Sequence, residues 1–320
     1  MNLAILSDIN PVKLALEGVL PSIVAAVVVL GLALRIWRPD TRLGDHEAAA
    51  PVGPRVGPQG GMTWGAPLAI GVGFFASYVG IHGLPPLDWY PDMKARLAWV
   101  ALAAAAFGVL RARSVHPKPW GNVCFFALAS LYLLSHWSLR GHWPWTATLI
   151  WVVAATLTCT LQWFCLEKLA TRLSGVGLSL CLCLCAGLAS RSFFLAHAES
   201  HARMASGIAA TLGVAAVFGL RRRNLALSRT GIATFVLLYT GLGLANHLTA
   251  DLPPAALALI LAAPVTLFLL ELPALRGTKT WVRLVLGLVL VLIPVAYAAE
   301  ITGDANPAYG ADDYMRSLGQ

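Results

Sequence analysis

Charge is what this chain has least of. Of its 320 residues only 12% are Asp, Glu, Lys or Arg, against roughly 25% in soluble domains. So few charges do not cover the surface of a water-soluble fold. The chain also lacks every signature that would name a reaction. It has no Walker-type phosphate loop, which excludes nucleotide hydrolysis by this chain alone. It has no Gly-x-Ser-x-Gly elbow, no paired aspartates within an apolar run and no Cys-x-x-Cys-His haem attachment site. Cysteine is missing from the loops: Cys124, Cys159, Cys165, Cys181, Cys183 and Cys185 all fall in apolar segments, which excludes a secreted disulfide framework. Cys181 and Cys185 share a helical face while Cys183 points elsewhere. Three thiolates therefore do not converge on one metal, and the six read as small packing residues. A basic leader is missing too. Residues 1–12 carry Asp8 and no Lys or Arg, and the first basic group, Arg35, Arg38 and Arg42, follows the first apolar run. This order inverts a cleavable signal and predicts an uncleaved anchor.

What is abundant is apolar sequence. Hydrophobic residues make up 58% of the chain and the mean hydropathy is +0.71. A membrane-spanning helix needs about 20 mainly apolar residues. Ten segments meet that length, over residues 14–36, 62–83, 94–112, 120–139, 144–166, 174–197, 203–220, 229–248, 253–271 and 281–300. The expected fold class is therefore all-α, a polytopic membrane bundle of about ten helices whose first partner is the lipid bilayer. Pro144, Pro253 and Pro254 suit first helical turns, where a missing N–H costs little. Pro264 and Pro294 lie within segments and should kink them. Trp37, Trp64, Trp89, Trp120, Trp137, Trp143, Trp163 and Trp281 stand at segment ends, as an interfacial aromatic belt does.

The net charge of +8 is not a nucleic-acid footprint, because the cations sit at the ends of apolar runs and form no groove-sized patch. They orient the chain instead. Of the 23 basic residues, sixteen fall in the loops after segments one, three, five, seven and nine. They are Arg35, Arg38, Arg42, Arg55, Arg111, Arg113, Lys118, Lys168, Arg172, Arg221, Arg222, Arg223, Arg229, Arg276, Lys279 and Arg283. Lys and Arg are retained in cytoplasmic loops, so both termini are expected outside, with the localisation of a bacterial-type inner membrane protein. Residues 1–300 read as one transmembrane domain. Within it, the Pro- and Gly-rich stretch 37–61 is a flexible cytoplasmic linker, and residues 301–320 are a polar external tail. An offset of 111 residues places Phe107-Gly108 on Phe218-Gly219, Arg111 on Arg222, His136 on His247, Lys168 on Lys279 and Arg172 on Arg283. This raises a tandem duplication of helices 3–6 and 7–10.

Histidines supply the candidate chemistry. His46 and His116 fall on the expected cytoplasmic side, while His82, His136, His142, His197, His201 and His247 fall on the other. His82, His136, His197 and His247 close outward-running helices two, four, six and eight, and Glu300 closes helix ten. Imidazole and carboxylate at one depth are what a divalent transition metal or a proton relay requires. The candidate metal set is therefore His82, His136, His197, His201, His247 and Glu300. Interfacial histidine, tolerated at headgroup level as Tyr and Trp are, is the alternative. If helix six continues past the interface, His197 and His201 are four apart and share a face. Glu199 would then point away from them, unlike the base of a zinc protease. Arg191, within the same apolar run, is the candidate contact for an anionic substrate or lipid headgroup unless it snorkels.

Glu17 and Glu271 lie near segment ends, and the absence of a midplane acid argues against a proton-coupled carrier. Thr156, Thr158, Thr160, Gln162, Asn122 and Tyr239 are expected to bond between helices. Gly71-Val72-Gly73 and Gly241-Leu242-Gly243 are expected to let helices approach closely. Three functions fit these features. The chain reads as a permease-like protein for a small solute or lipid, as a membrane enzyme or metal-binding subunit with an outward His/Glu site, or as a scaffold for other membrane subunits.

Overall fold

The computed structural model describes residues 11–36, 64–86, 92–113, 119–170, 173, 175–221, 227, 229–275 and 278–306. Among them there is no strand. The chain forms α1 (Pro11–Ile36), α2 (Gly65–His82), α3 (Met93–Arg113), α4 (Trp120–Leu139), α5 (Trp145–Ala170), α6 (Gly175–Leu195), α7 (Glu199–Arg221), α8 (Arg229–Thr249), α9 (Pro254–Thr266) and α10 (Thr280–Ala305). Two 3-10 turns, Leu267–Glu271 and Pro273–Leu275, extend α9. All ten helices, α9 counted with its first 3-10 turn, are long and apolar enough to cross a membrane, the mark of a multi-pass membrane protein. The linker 37–61 and all but the first residues of the 301–320 tail lie outside the described residues. The tail's beginning is not loop: α10 runs on to Ala305.

Even-numbered helices end where odd-numbered ones begin. The Ala196 carbonyl at the end of α6 accepts the Asp251 N–H beyond α8, and Asn306 Nδ2 beyond α10 donates to the Asp251 carbonyl. Arg203 near the start of α7 pairs with Glu17 in α1 at 2.8 Å and with Glu199. All six histidines expected on one side therefore do share one end of the bundle, called here the histidine end.

At the centre stands α8, with 89% of Gly231–Thr249 buried, against 28% of the spanning part of α1. A surrounded helix must satisfy its side-chain polar groups against its neighbours. Thr240 Oγ1 donates to Gln162 Oε1 of α5, whose Nε2 donates to the Leu261 carbonyl of α9 at 2.7 Å. The expected interhelical bonds thus form for Gln162 and Tyr239. Thr156, Thr158 and Thr160 instead donate to carbonyls four residues back in α5, because that acceptor lies within reach of any helical threonine. The glycine pairs do admit close approach. A Cβ on Gly71 would stand 2.5 Å from the Ala101 carbonyl oxygen of α3, and one on Gly241 would meet Leu97 and Leu133.

Three helices carry an internal proline, and each leaves the carbonyl four residues earlier without its helical N–H. A neighbouring helix uses all three. Pro264 frees the Ile260 carbonyl, which accepts the Tyr239 hydroxyl of α8 at 3.2 Å. Pro294 frees the Leu290 carbonyl, which accepts Thr266 Oγ1 at 2.9 Å. Pro21 frees the Glu17 carbonyl, and α2 brings Gly80, with no Cβ, against it. Neighbour relations do not repeat along the chain: α9 and α10 pack along their length, whereas α5 and α6 barely touch. The pairing that a parallel duplication of helices 3–6 and 7–10 requires is not displayed.

The proline assignment predicts a coupling. Tyr239→Phe strands the Ile260 carbonyl and should cost about 1–3 kcal/mol. In a Pro264→Ala background the restored N–H takes that carbonyl, so the cost of Tyr239→Phe should shrink. Denaturation of the four proteins in detergent measures the cycle, and equal costs in both backgrounds would refute the assignment.

Candidate functional site

At the histidine end α3 begins with Asp92, whose Oδ1 accepts the Ala95 N–H at 2.7 Å and so caps the helix. Both Asp92 and Lys94 act electrostatically on His82; Lys94 also reaches His201, and Asp92 also reaches His136. The start of α3 is therefore the hub around which the structure gathers three of the sequence candidates. His82 is exposed and rests against Tyr78. His201 is 1% exposed, and neither ring nitrogen finds a partner among the described residues. His136 is 7% exposed with Nδ1 unpartnered.

The other candidates stand apart. Helix α6 stops at Leu195 and α7 starts at Glu199, so His197 and His201 do not share a helical face. The Ala198 N–H donates to the Phe193 carbonyl and the His197 N–H to the Phe194 carbonyl, with His197 left-handed at φ 58°. This is the C-terminal turn that glycine usually occupies. Hydropathy shows no break there because Phe194, Leu195, Ala196 and Ala198 keep the run apolar. His247 donates Nδ1–H to the Leu252 carbonyl at 2.8 Å and tilts against Trp151, tying down the α8–α9 turn. Glu300 is exposed on α10 and Arg191 is exposed on α6. Neither lines a pocket described below. Among the described residues no three His, Cys, Asp or Glu side chains are grouped to hold a metal ion. A shared depth in the bundle did not bring the candidate metal ligands together around one point.

Between the start of α3 and the ends of α4 and α8 lies a pocket of about 240 Å³, lined by Asp92, Met93, Lys94, His136, Trp137, Arg140, His142 and Thr249. Two devices build it. Arg96 is buried in α3 and donates through Nη1 to the Tyr132 carbonyl and to Ser135 Oγ of α4, with its guanidinium over the Tyr132 ring. That ties the two walls together. At the end of α4, Gly141 is left-handed at φ 74°, its N–H donates to Ser138 and the His142 N–H donates to Trp137. The chain thereby folds back, and Trp137 meets His142 at 5.5 Å and stacks on Trp143 at the same centroid distance. Trp143 stacks on Trp151 in turn. Sequence reasoning passed over Lys94 and Arg140, which line the pocket, and Arg96, which ties its walls, because they read as ordinary loop and helix-end cations. The signal was present in the spacing: Asp92, Lys94 and Arg96 in one turn, opposite His136, Arg140 and His142.

The seam continues inward. Met93 also lines a cavity of about 10 Å³ with Ser130, Cys159, Leu237, Thr240 and Leu244. Nearer the other end, Phe107, Asn122, Phe125 and Thr234 line a further crevice. All three lie where α3, α4 and α8 meet.

No protein-family model matches the chain, and no curated protein or solved structure resembles it closely enough to carry an argument.

His197→Gly and His197→Ala both remove the imidazole, but only glycine relieves the left-handed conformation, which costs an L residue about 1–2 kcal/mol. The glycine variant should therefore melt higher in detergent than the alanine variant. Equal melting temperatures would refute the left-handed turn at His197.

Proposed function

We propose that this is a permease-like protein, binding or moving a small solute or lipid, with the α3–α4–α8 pocket as its entry site. The pocket is the observation that carries the reading. It combines fixed charges, imidazoles and an aromatic wall at the end of a membrane-spanning bundle, and it is concave, as sites for small molecules are. Below the pocket the same three-helix seam narrows to a space of about 10 Å³ lined mainly by apolar side chains, so the support is for binding at the pocket.

The distribution of basic residues supports the orientation that goes with this reading. In it the protein sits in a bacterial-type inner membrane, with both termini and the histidine end on the non-cytoplasmic side. Solute would then enter from outside.

Thr249 is exposed at the rim of the pocket, so Thr249→Trp should fill the entry without disturbing the core. Proteoliposomes loaded with radiolabelled lactate, inorganic phosphate, glycerol or alanine should release at least one of these faster than protein-free vesicles. Thr249→Trp, with unchanged melting temperature, should slow that release severalfold. No protein-dependent release of any of the four, together with no ligand-dependent change in melting temperature, would sink the permease reading.

A further inference from the structure

We propose that the α3–α4–α8 pocket is built for a small oxyanion, a carboxylate or a phosphate group; this rests on the permease reading above and adds the chemical class of its ligand.

Two fixed cations, Lys94 and Arg140, line the pocket against one carboxylate, Asp92. That carboxylate is partly spent, because Oδ1 already accepts the Ala95 N–H. Neither Lys94 nor the Arg140 guanidinium forms an ion pair or hydrogen bond with a described residue. Arg96, buried behind His136, adds a third positive charge close by without lining the pocket.

Two neutral groups of the lining residues are unsatisfied as well. Trp137 Nε1 is buried without a partner, and an indole N–H can only donate. His136, more than nine-tenths buried, has Nδ1 unpartnered as well. Buried polar groups left unpaired cost about 1–3 kcal/mol each, so the wall formed by His136 and Trp137 holds unsatisfied hydrogen-bonding capacity just behind its surface. His142 offers one ring N–H when neutral and two when protonated. Among the described lining residues two cations thus stand against one carboxylate, and the complement of such a surface is an anion.

Size narrows the class further. At about 240 Å³ the pocket falls below the roughly 300–1,000 Å³ of sites for drug-sized ligands. It suits a small organic acid, inorganic phosphate or the phosphate of a lipid headgroup. Trp137, with its stacked neighbour Trp143, supplies an apolar side against which the rest of such a molecule can lie.

The test is equilibrium binding to the full-length purified protein, followed by thermal melts at constant ionic strength with sodium chloride as the salt control. The probes are sodium phosphate, sodium lactate and glycerol. Phosphate or lactate should raise the melting temperature saturably, while chloride and glycerol do not. Lys94→Gln and Arg140→Gln should each weaken that anion roughly 10- to 100-fold, the loss of one charge-assisted hydrogen bond. Arg140 is exposed, so its variant tests the assignment even if a variant at Lys94 fails to fold.

Anion affinity left unchanged in both Lys94→Gln and Arg140→Gln would overturn the assignment. Saturable binding of glycerol with both anions inert would overturn the oxyanion class but leave the permease reading standing. Repeating the phosphate titration in nanodiscs of phosphatidylglycerol and of phosphatidylcholine separates the two sources of the anion. Weaker phosphate binding in phosphatidylglycerol identifies a lipid headgroup as occupant, and equal binding identifies a free solute; either supports the oxyanion class.

Discussion

In hydrocarbon no water waits to accept a stranded hydrogen bond, and this bundle is arranged around that fact. A spanning helix satisfies its own backbone until a proline interrupts it. Here Pro21, Pro264 and Pro294 each expose one carbonyl, and each carbonyl becomes a joint. Tyr239 of α8 reaches the one in α9, Thr266 reaches the one in α10, and Gly80 of α2 packs onto the one in α1. Hydrophobic burial between helices contributes little in a membrane, because lipid tails are as apolar as leucine. Directional polar contacts and close approach therefore decide which helices are neighbours.

The same rule explains why the ends of the bundle differ in kind from its middle. Within the spanning segments several buried polar side chains are paired across helices: Gln162 with Thr240 and Leu261, Ser22 with Gly73, Ser77 with Gly18. At the histidine end water and headgroups are near, and charges can gather at low cost. There the α3–α4 contact is held by Arg96 rather than by tight packing, and the pocket opens beside it. Rigid walls and an open mouth come from one arrangement: buried guanidinium behind, glycine turn in front.

Much of this was legible in the chain. Ten helices follow from ten apolar runs, and the close approaches at Gly71 and Gly241 follow from residues too small for anything else. The gathering of six histidines at one end also followed, since alternate crossings must return to the same side. What the runs conceal is where a helix stops when the sequence stays apolar. α5 and α10 outlast the predicted hydrocarbon span by four or five residues, because backbone hydrogen bonding continues into the interface. α6 stops at Leu195 without any drop in hydropathy, because a left-handed His197 turns the chain.

Candidate ligands were harder to read than helices. Periodicity and hydropathy report how deep a residue lies along its own helix, and by that measure His82, His136, His197, His247 and Glu300 were equivalent. They are silent on the azimuth of each helix and on which helices touch. Packing alone brings His82, His136 and His201 to the start of α3, sends His247 to its own turn and leaves Glu300 exposed. The chain by itself therefore determined a ten-helix bundle and the face on which its polar chemistry lies, because burial of apolar length is additive along a sequence. Only the tertiary structure decided that Lys94, Arg140 and Trp137 share a pocket, because proximity across helices depends on contacts that no single helix contains.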